Sequence, residues 1–150
     1  MKYSIIFVVQ SWFYNGLNME VCSFEATEEC LGKVRDFMAS WAAKNGISVK
    51  VSNKLAVIAD EIVSNIVHYS SASVLNICCE VQGTESVIKF QDDGRAFNPL
   101  IETVEPDVSA DVESRKIGGL GVFLVKKMAQ SVSYENENGK NILTVVLSNV

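Results

Sequence analysis

The chain has 150 residues, 48% of them hydrophobic and 21% charged, with a formal net charge of −5. This is the length of one ordinary domain with a real core, and the balance is that of a globular chain rather than a disordered one. With no cluster of Lys and Arg to form a basic stripe, the sequence excludes nucleic acid as a partner.

In chain order, the run Ile5-Ile6-Phe7-Val8-Val9 is too short for a signal-peptide core and lacks a small-residue cleavage site after it. Nothing approaches the length of a membrane span, so a cytoplasmic protein without a membrane partner is expected. Residues 3–9 are strongly β-forming. They belong to an N-terminal extension, 1–18, expected to pair with a sheet edge or a neighbouring subunit. Residues 19–150 are expected to form the single functional domain.

Residues 20–24 alternate polar and apolar, which predicts the first strand of that domain. Thr27 is the expected N-cap of the next helix, with Glu28 and Glu29 at its positive end. That helix should bury Leu31, Val34, Met38, Trp41 and Ala42, and Asn45-Gly46 should close it. A central helix is predicted over roughly 52–69. At about 100° per residue, Leu55, Ile58, Ile62, Ile66 and Tyr69 form its core stripe. Glu61, Asn65 and His68 lie on a narrow arc directly beside that stripe. Strands over 74–81 and 86–91 are joined by a turn at Gly83-Thr84. Residues 98–117 lack periodicity and carry Glu102, Glu105, Asp107, Asp111 and Glu113; a loop this long is usually functional or mobile. The run Gly118-Gly119-Leu120-Gly121 then opens a helix burying Val122, Phe123, Val125 and Met128. Asn138-Gly139 signals a hairpin between strands over 131–136 and 142–147. The sum is an α+β two-layer sandwich with helices on one face of a mostly antiparallel sheet.

The four cysteines, Cys22, Cys30, Cys78 and Cys79, form no C-x-x-C pair and His68 is the single histidine. A structural zinc is therefore not expected, and reduced, mostly buried thiols are. Adjacent Cys78 and Cys79 should point to opposite faces of their strand.

Three stretches carry chemistry. Glu61 and Asn65, one helical turn apart, pair a carboxylate with a hard carboxamide oxygen at the edge of a core stripe. Asp92-x-Gly94-x2-Phe97 ends a strand. Gly118, Gly119 and Gly121 open a helix, where backbone amides and the helix dipole can face phosphate. The run is neither G-x-G-x-x-G nor G-x-x-x-x-G-K-[ST], so Rossmann and P-loop readings fail. Together and in this order, the three resemble the ATP-binding boxes of the GHKL (Bergerat-fold) superfamily, over roughly residues 20–150. Within it the chain is most similar to the anti-sigma factor / serine-protein kinase branch.

The resemblance implies a Bergerat ATP-binding fold that uses ATP and Mg²⁺. It implies a serine/threonine-protein kinase that regulates transcription by phosphorylating a small anti-anti-sigma (STAS-type) partner and sequestering a sigma factor or similar client, as a homodimer. Glu61 would be the catalytic base and Asn65 the magnesium ligand. Asp92 and Gly94 would receive the adenine, with Phe97, Gly118, Gly119, Leu120 and Gly121 completing the nucleotide site. Residues 98–117 take the lid position, Arg115 or Lys116 stands within reach of the phosphates, and Arg35 lies on the helix that touches the protein substrate. His68 reads as a residue that packs or hydrogen-bonds at the pocket rim. Ala96, Asn98 and Gln130 depart from the residues common in the family, which bears on the partner surface rather than on ATP. The alternative is a non-catalytic nucleotide-binding module that sequesters a protein. A histidine kinase would need a dimerisation helix pair, and a topoisomerase-type ATPase a transducer domain; neither is expected here.

Overall fold

The computed structural model describes residues 19–102 and 120–150. The order is β1 (Met19–Glu25), α1 (Cys30–Lys44), α2 (Val49–Tyr69), β2 (Val74–Gln82), β3 (Glu85–Asp92), α3 (Pro99–Glu102), α4 (Leu120–Met128), β4 (Ser131–Glu137) and β5 (Lys140–Ser148). The described strands form one sheet in the order β1-β2-β3-β5-β4, every neighbouring pair antiparallel. The helices supply one layer and the sheet the other, as the alternation of periods in the sequence predicts.

The core lies between the layers. Val34, Met38 and Trp41 of α1 and Leu55, Ile58, Ala59, Ile62, Val63 and Ile66 of α2 meet alternate strand residues: Leu75, Ile77 and Cys79, then Ile88 and Phe90, then Leu143, Val145 and Leu147. Cys79 faces this core and Cys78, one residue earlier, the opposite side of the sheet, and all four thiols are free. Val122 and Val125 of α4 are buried, while Phe123 and Met128 are half-buried.

Helix ends follow local chemistry. Asn45-Gly46 closes α1 as expected: Gly46 has φ +66°, its N–H donates to Ala43 O, and the Ile47 N–H donates to Ala42 O. This is the double bond of a Schellman cap. The Ser48 hydroxyl accepts from the Val51 N–H, so α2 begins at Val49, earlier than predicted. Both turn residues of the β4–β5 hairpin have positive φ, 52° at Asn138 and 76° at Gly139, the requirement of a type I′ turn.

Three expectations are corrected. Thr27 is not the N-cap of α1: a turn intervenes, in which the Thr27 carbonyl accepts the Cys30 N–H, and the N-cap position falls on Glu29 without a side-chain cap. Glu28 and Glu29 therefore precede the helix instead of occupying its first turn. Tyr69 is not in the core but 55% exposed, because it is the last residue of α2 and its ring lies edge-on to His68 at the surface. The stripe instead widens through Ala59 and Val63. Finally, the aperiodic segment opens with a helical turn, α3, where the Asn98 side chain accepts the Leu100 N–H and Pro99 takes the first position. The strand expected over residues 3–9, and the rest of the lid segment, lie outside the described residues.

No helix among the described residues is long and apolar enough to cross a membrane.

Candidate functional site

Helix α2 is the spine of the site. Glu61 and Asn65 are both half-buried and sit one turn apart beside the buried Ile62 and Ile66. Across from them runs α4. A methyl group built on Gly121 would collide with the Glu61 Oε2, and would stand 3.2 Å from its Cδ and 3.5 Å from its Cβ. Gly121 is not among the described glycines with positive φ. Its lack of a side chain therefore answers a demand of space, and the space is taken by the Glu61 carboxylate. The sequence-predicted base packs directly beside Gly121.

The second box packs at the other end of the same helix. A methyl group on Gly94 would run into the Ser70 carbonyl and stand 2.7 Å from both Ser70 Cβ and Oγ, while the Arg95 N–H donates to Ser70 O at 3.0 Å. Ser70 itself is buried and donates its hydroxyl to Ile66 O. Gly94 is thus required by the fit of this turn against the C-terminus of α2, whatever else it meets. From Glu61 to Ser70 is nine residues, roughly 14 Å along the axis. Gly121 and the Asp92–Gly94 turn pack against one helix at that separation, and Asn65 lies between the two points along it.

The two neighbouring aspartates divide their work. Asp93 is structural: its Oδ1 accepts from the Ser73 and Val74 N–H groups at 2.7 and 2.9 Å and ties down the α2–β2 loop. Burial works against its charge, but those backbone donors hold its pKa below the ordinary range. Asp92 is only 5% exposed. Burial raises its pKa, opposed by donation from Asn141 and the Gly94 N–H. Both of those donors address Oδ1, at 3.1 and 2.9 Å, so among the described residues Oδ2 is left as the acceptor available to a ligand.

Asn141 is the residue that sequence reasoning missed. It stands opposite Asp92 across the β3–β5 ladder and is buried. Its Nδ2 lies 3.1 Å from Asp92 Oδ1, 2.8 Å from Arg95 O and 3.4 Å from Gly94 O. Its Oδ1 accepts from the Phe97 N–H, the Tyr134 hydroxyl and Asn136 Nδ2. One carboxamide thus holds the whole Asp92–Phe97 segment to the last hairpin. The available signal was a polar residue opening an otherwise apolar strand, which names no partner by itself.

The remaining candidates divide. Phe97 is half-buried, with Arg95 5.9 Å above its ring. Leu120 is the first residue of α4. Gly118, Gly119, Arg115 and Lys116 lie outside the described residues. His68 is exposed and bonds to Ser64 and to the Glu28 carboxylate; those bonds raise its pKa and give it a role in tying α2 to the β1–α1 turn. Arg35 is paired with Asp60 at 2.9 Å on an exposed face. Gln130 donates to Glu85. Among the described residues no cluster of three or more His, Cys, Asp or Glu could hold a metal by itself.

Residues 24–147 match the family described as Histidine kinase-like ATPase domain. The chain belongs to that family. This histidine kinase-like ATPase domain is 23% identical over 108 residues to the serine/threonine-protein kinase BtrW of Bordetella bronchiseptica, covering 69% of this chain and 75% of that one. Its fold is similar to the crystal structure of the RsbU and RsbW domains of a Mycobacterium tuberculosis protein, with a TM-score of 0.62 and 13% identity. That match covers 87% of this chain but 32% of the larger one. The Acinetobacter baumannii histidine kinase AdeS is also similar in fold, with a TM-score of 0.51 and 18% identity over 94% of this chain and 72% of that one. The family and the kinase relative agree with the serine-protein kinase branch of the GHKL superfamily, and family membership implies ATP as the nucleotide.

Proposed function

We propose that this domain is a Mg²⁺- and ATP-dependent protein serine/threonine kinase that phosphorylates a small STAS-type anti-anti-sigma protein and, when not so engaged, holds a sigma factor or similar client. One observation carries the reading: the Glu61 carboxylate fills the space left open at Gly121, at the start of the glycine-led helix. A carboxylate beside the start of a helix that would bind phosphate stands where an attacking hydroxyl needs its proton accepted.

The chain's own residues divide the task. Oδ2 of Asp92 would accept from the adenine amino group and disfavour guanine, whose carbonyl offers no proton there. Phe97 and the backbone of Gly94 would border the base. Amides of the 118–121 turn and the α4 dipole would take the phosphates. Asn65 would offer its side-chain oxygen to Mg²⁺, which when bound neutralises phosphate charge. Glu61 would accept the proton of the partner's serine or threonine. The half-burial of Glu61 keeps it near the core edge, where a docked partner would exclude water.

The test is transfer of label from γ-labelled ATP to purified STAS-domain proteins. Transfer to one of them, lost in Glu61→Ala while ATP still binds, is the expected result. ATP binding without transfer to any of them would overturn the kinase reading and leave a nucleotide-binding module that sequesters its partner.

A further inference from the structure

A two-layer sandwich should leave the sheet face opposite the helices to solvent, yet the middle of this face is buried. The residues on that face stand in cross-strand rows: Ser23, Asn76, Gln91 and Ile142; then Val21, Cys78, Lys89 and Thr144; then Met19, Glu80, Val87 and Val146. Cys78 and Ile142 are 3% exposed, Asn76 5%, Gln91 6% and Val87 7%. None of these five belongs to the core that the helices cover. Burial also pushes the Cys78 thiol up to about 11 despite nearby Lys89, as a dry surrounding would. Asn76 donates to Gln91 Oε1 at 3.1 Å and accepts from the Ser23 hydroxyl, and neither Asn76 nor Gln91 leaves a buried side-chain polar atom without a partner.

The described helices lie on the other side of the sheet. Two stretches remain. Residues 103–119 connect α3 to α4, both in the helix layer, and carry Glu105, Asp107, Asp111 and Glu113, which suit an apolar face poorly. Residues 1–18 end at Met19, the first residue of edge strand β1. Extended, they reach up to roughly 60 Å, against roughly 19 Å across five strands. They contain Ile5-Ile6-Phe7-Val8-Val9, Trp12, Phe13 and Tyr14, an apolar content that matches Val21, Cys78, Val87, Ile142 and Val146.

We propose that the outer face of the sheet is an interaction surface whose partner is the chain's own N-terminal segment, with residues 5–9 seated over Cys78, Val87 and Ile142 as a third layer. The segment thereby occupies an apolar surface that would otherwise be open to a second copy.

Native-state alkylation of the full-length chain with iodoacetamide, read cysteine by cysteine by mass spectrometry, tests this. In the wild type Cys78 should be as protected as Cys79. In Ile6→Asp/Phe7→Asp it should react at least about tenfold faster while Cys30 and Cys79 stay protected. Cys78 reacting freely in the wild type, or staying protected in the variant, overturns the proposal. Wild-type protection that fades on dilution also overturns it, by assigning the cover to a second copy. If the variant releases Cys30 and Cys79 as well, it has unfolded, and methyl NOEs in the wild type decide. Contacts from Ile5, Ile6, Val8 or Val9 to Val87 and Ile142 are then required, and their absence overturns it.

Discussion

Gly121→Ala separates stability from activity more sharply than any other change in this molecule. The new methyl group meets the far end of Glu61 and not backbone, so the carboxylate can swing aside. That off-rotamer movement costs about 0.5–1.5 kcal/mol. Against it, replacing a helical glycine without positive φ contributes about 0.5–1 kcal/mol of stability. The two nearly cancel, so urea denaturation followed by circular dichroism should place the variant within about 1 kcal/mol of the wild type. Activity should not cancel. Displacing a general base costs about 10²- to 10⁴-fold in phosphoryl transfer, with ATP affinity measured by calorimetry largely kept. A variant with full activity would refute the claim that the Glu61 carboxylate works from the place it occupies. A loss of more than about 2 kcal/mol would refute the claim that this contact relaxes by a side-chain rotation.

Asn141→Ala leaves Asp92, two carbonyls and three donors short of a partner. Because such losses are not additive, urea denaturation should show about 2–4 kcal/mol of destabilisation, and ATP affinity should fall with it. Asp92→Asn removes a buried charge, so the melting temperature should hold or rise. ATP affinity should nevertheless fall about 10- to 100-fold and the preference over GTP should shrink. His68, the single histidine, gives one clean NMR titration. Its bond to Glu28 should place its pKa above the ordinary value, and Glu28→Gln should lower it. The sign follows: the stability this pair contributes is fully present below the unfolded-state pKa and is lost as pH rises through the folded one.

Much of the site was legible because its residues are bound by local rules. A helix of period 3.6 puts Glu61 and Asn65 on one side whatever surrounds it, and glycines before an apolar run announce an amide-rich helix start. Asn45-Gly46 and Asn138-Gly139 likewise dictate their cap and turn through backbone conformation alone. Tyr69 and Thr27 misled for the same reason in reverse. Periodicity does not reveal where a helix stops, and a good capping residue does not oblige the helix to start beside it.

What the sequence by itself determined is the order and type of the main elements and the side of α2 that carries Glu61 and Asn65, because these depend on spacing within short windows. What only the tertiary structure decided is which distant residues share a space. Glu61 occupies the volume that Gly121 leaves vacant, Ser70 fills the volume beside Gly94, and Asn141 reaches across a ladder to Asp92. Each of these joins segments at least two dozen residues apart. Their distances are set by the register of antiparallel strands and the packing of helices over them, which no window of sequence contains.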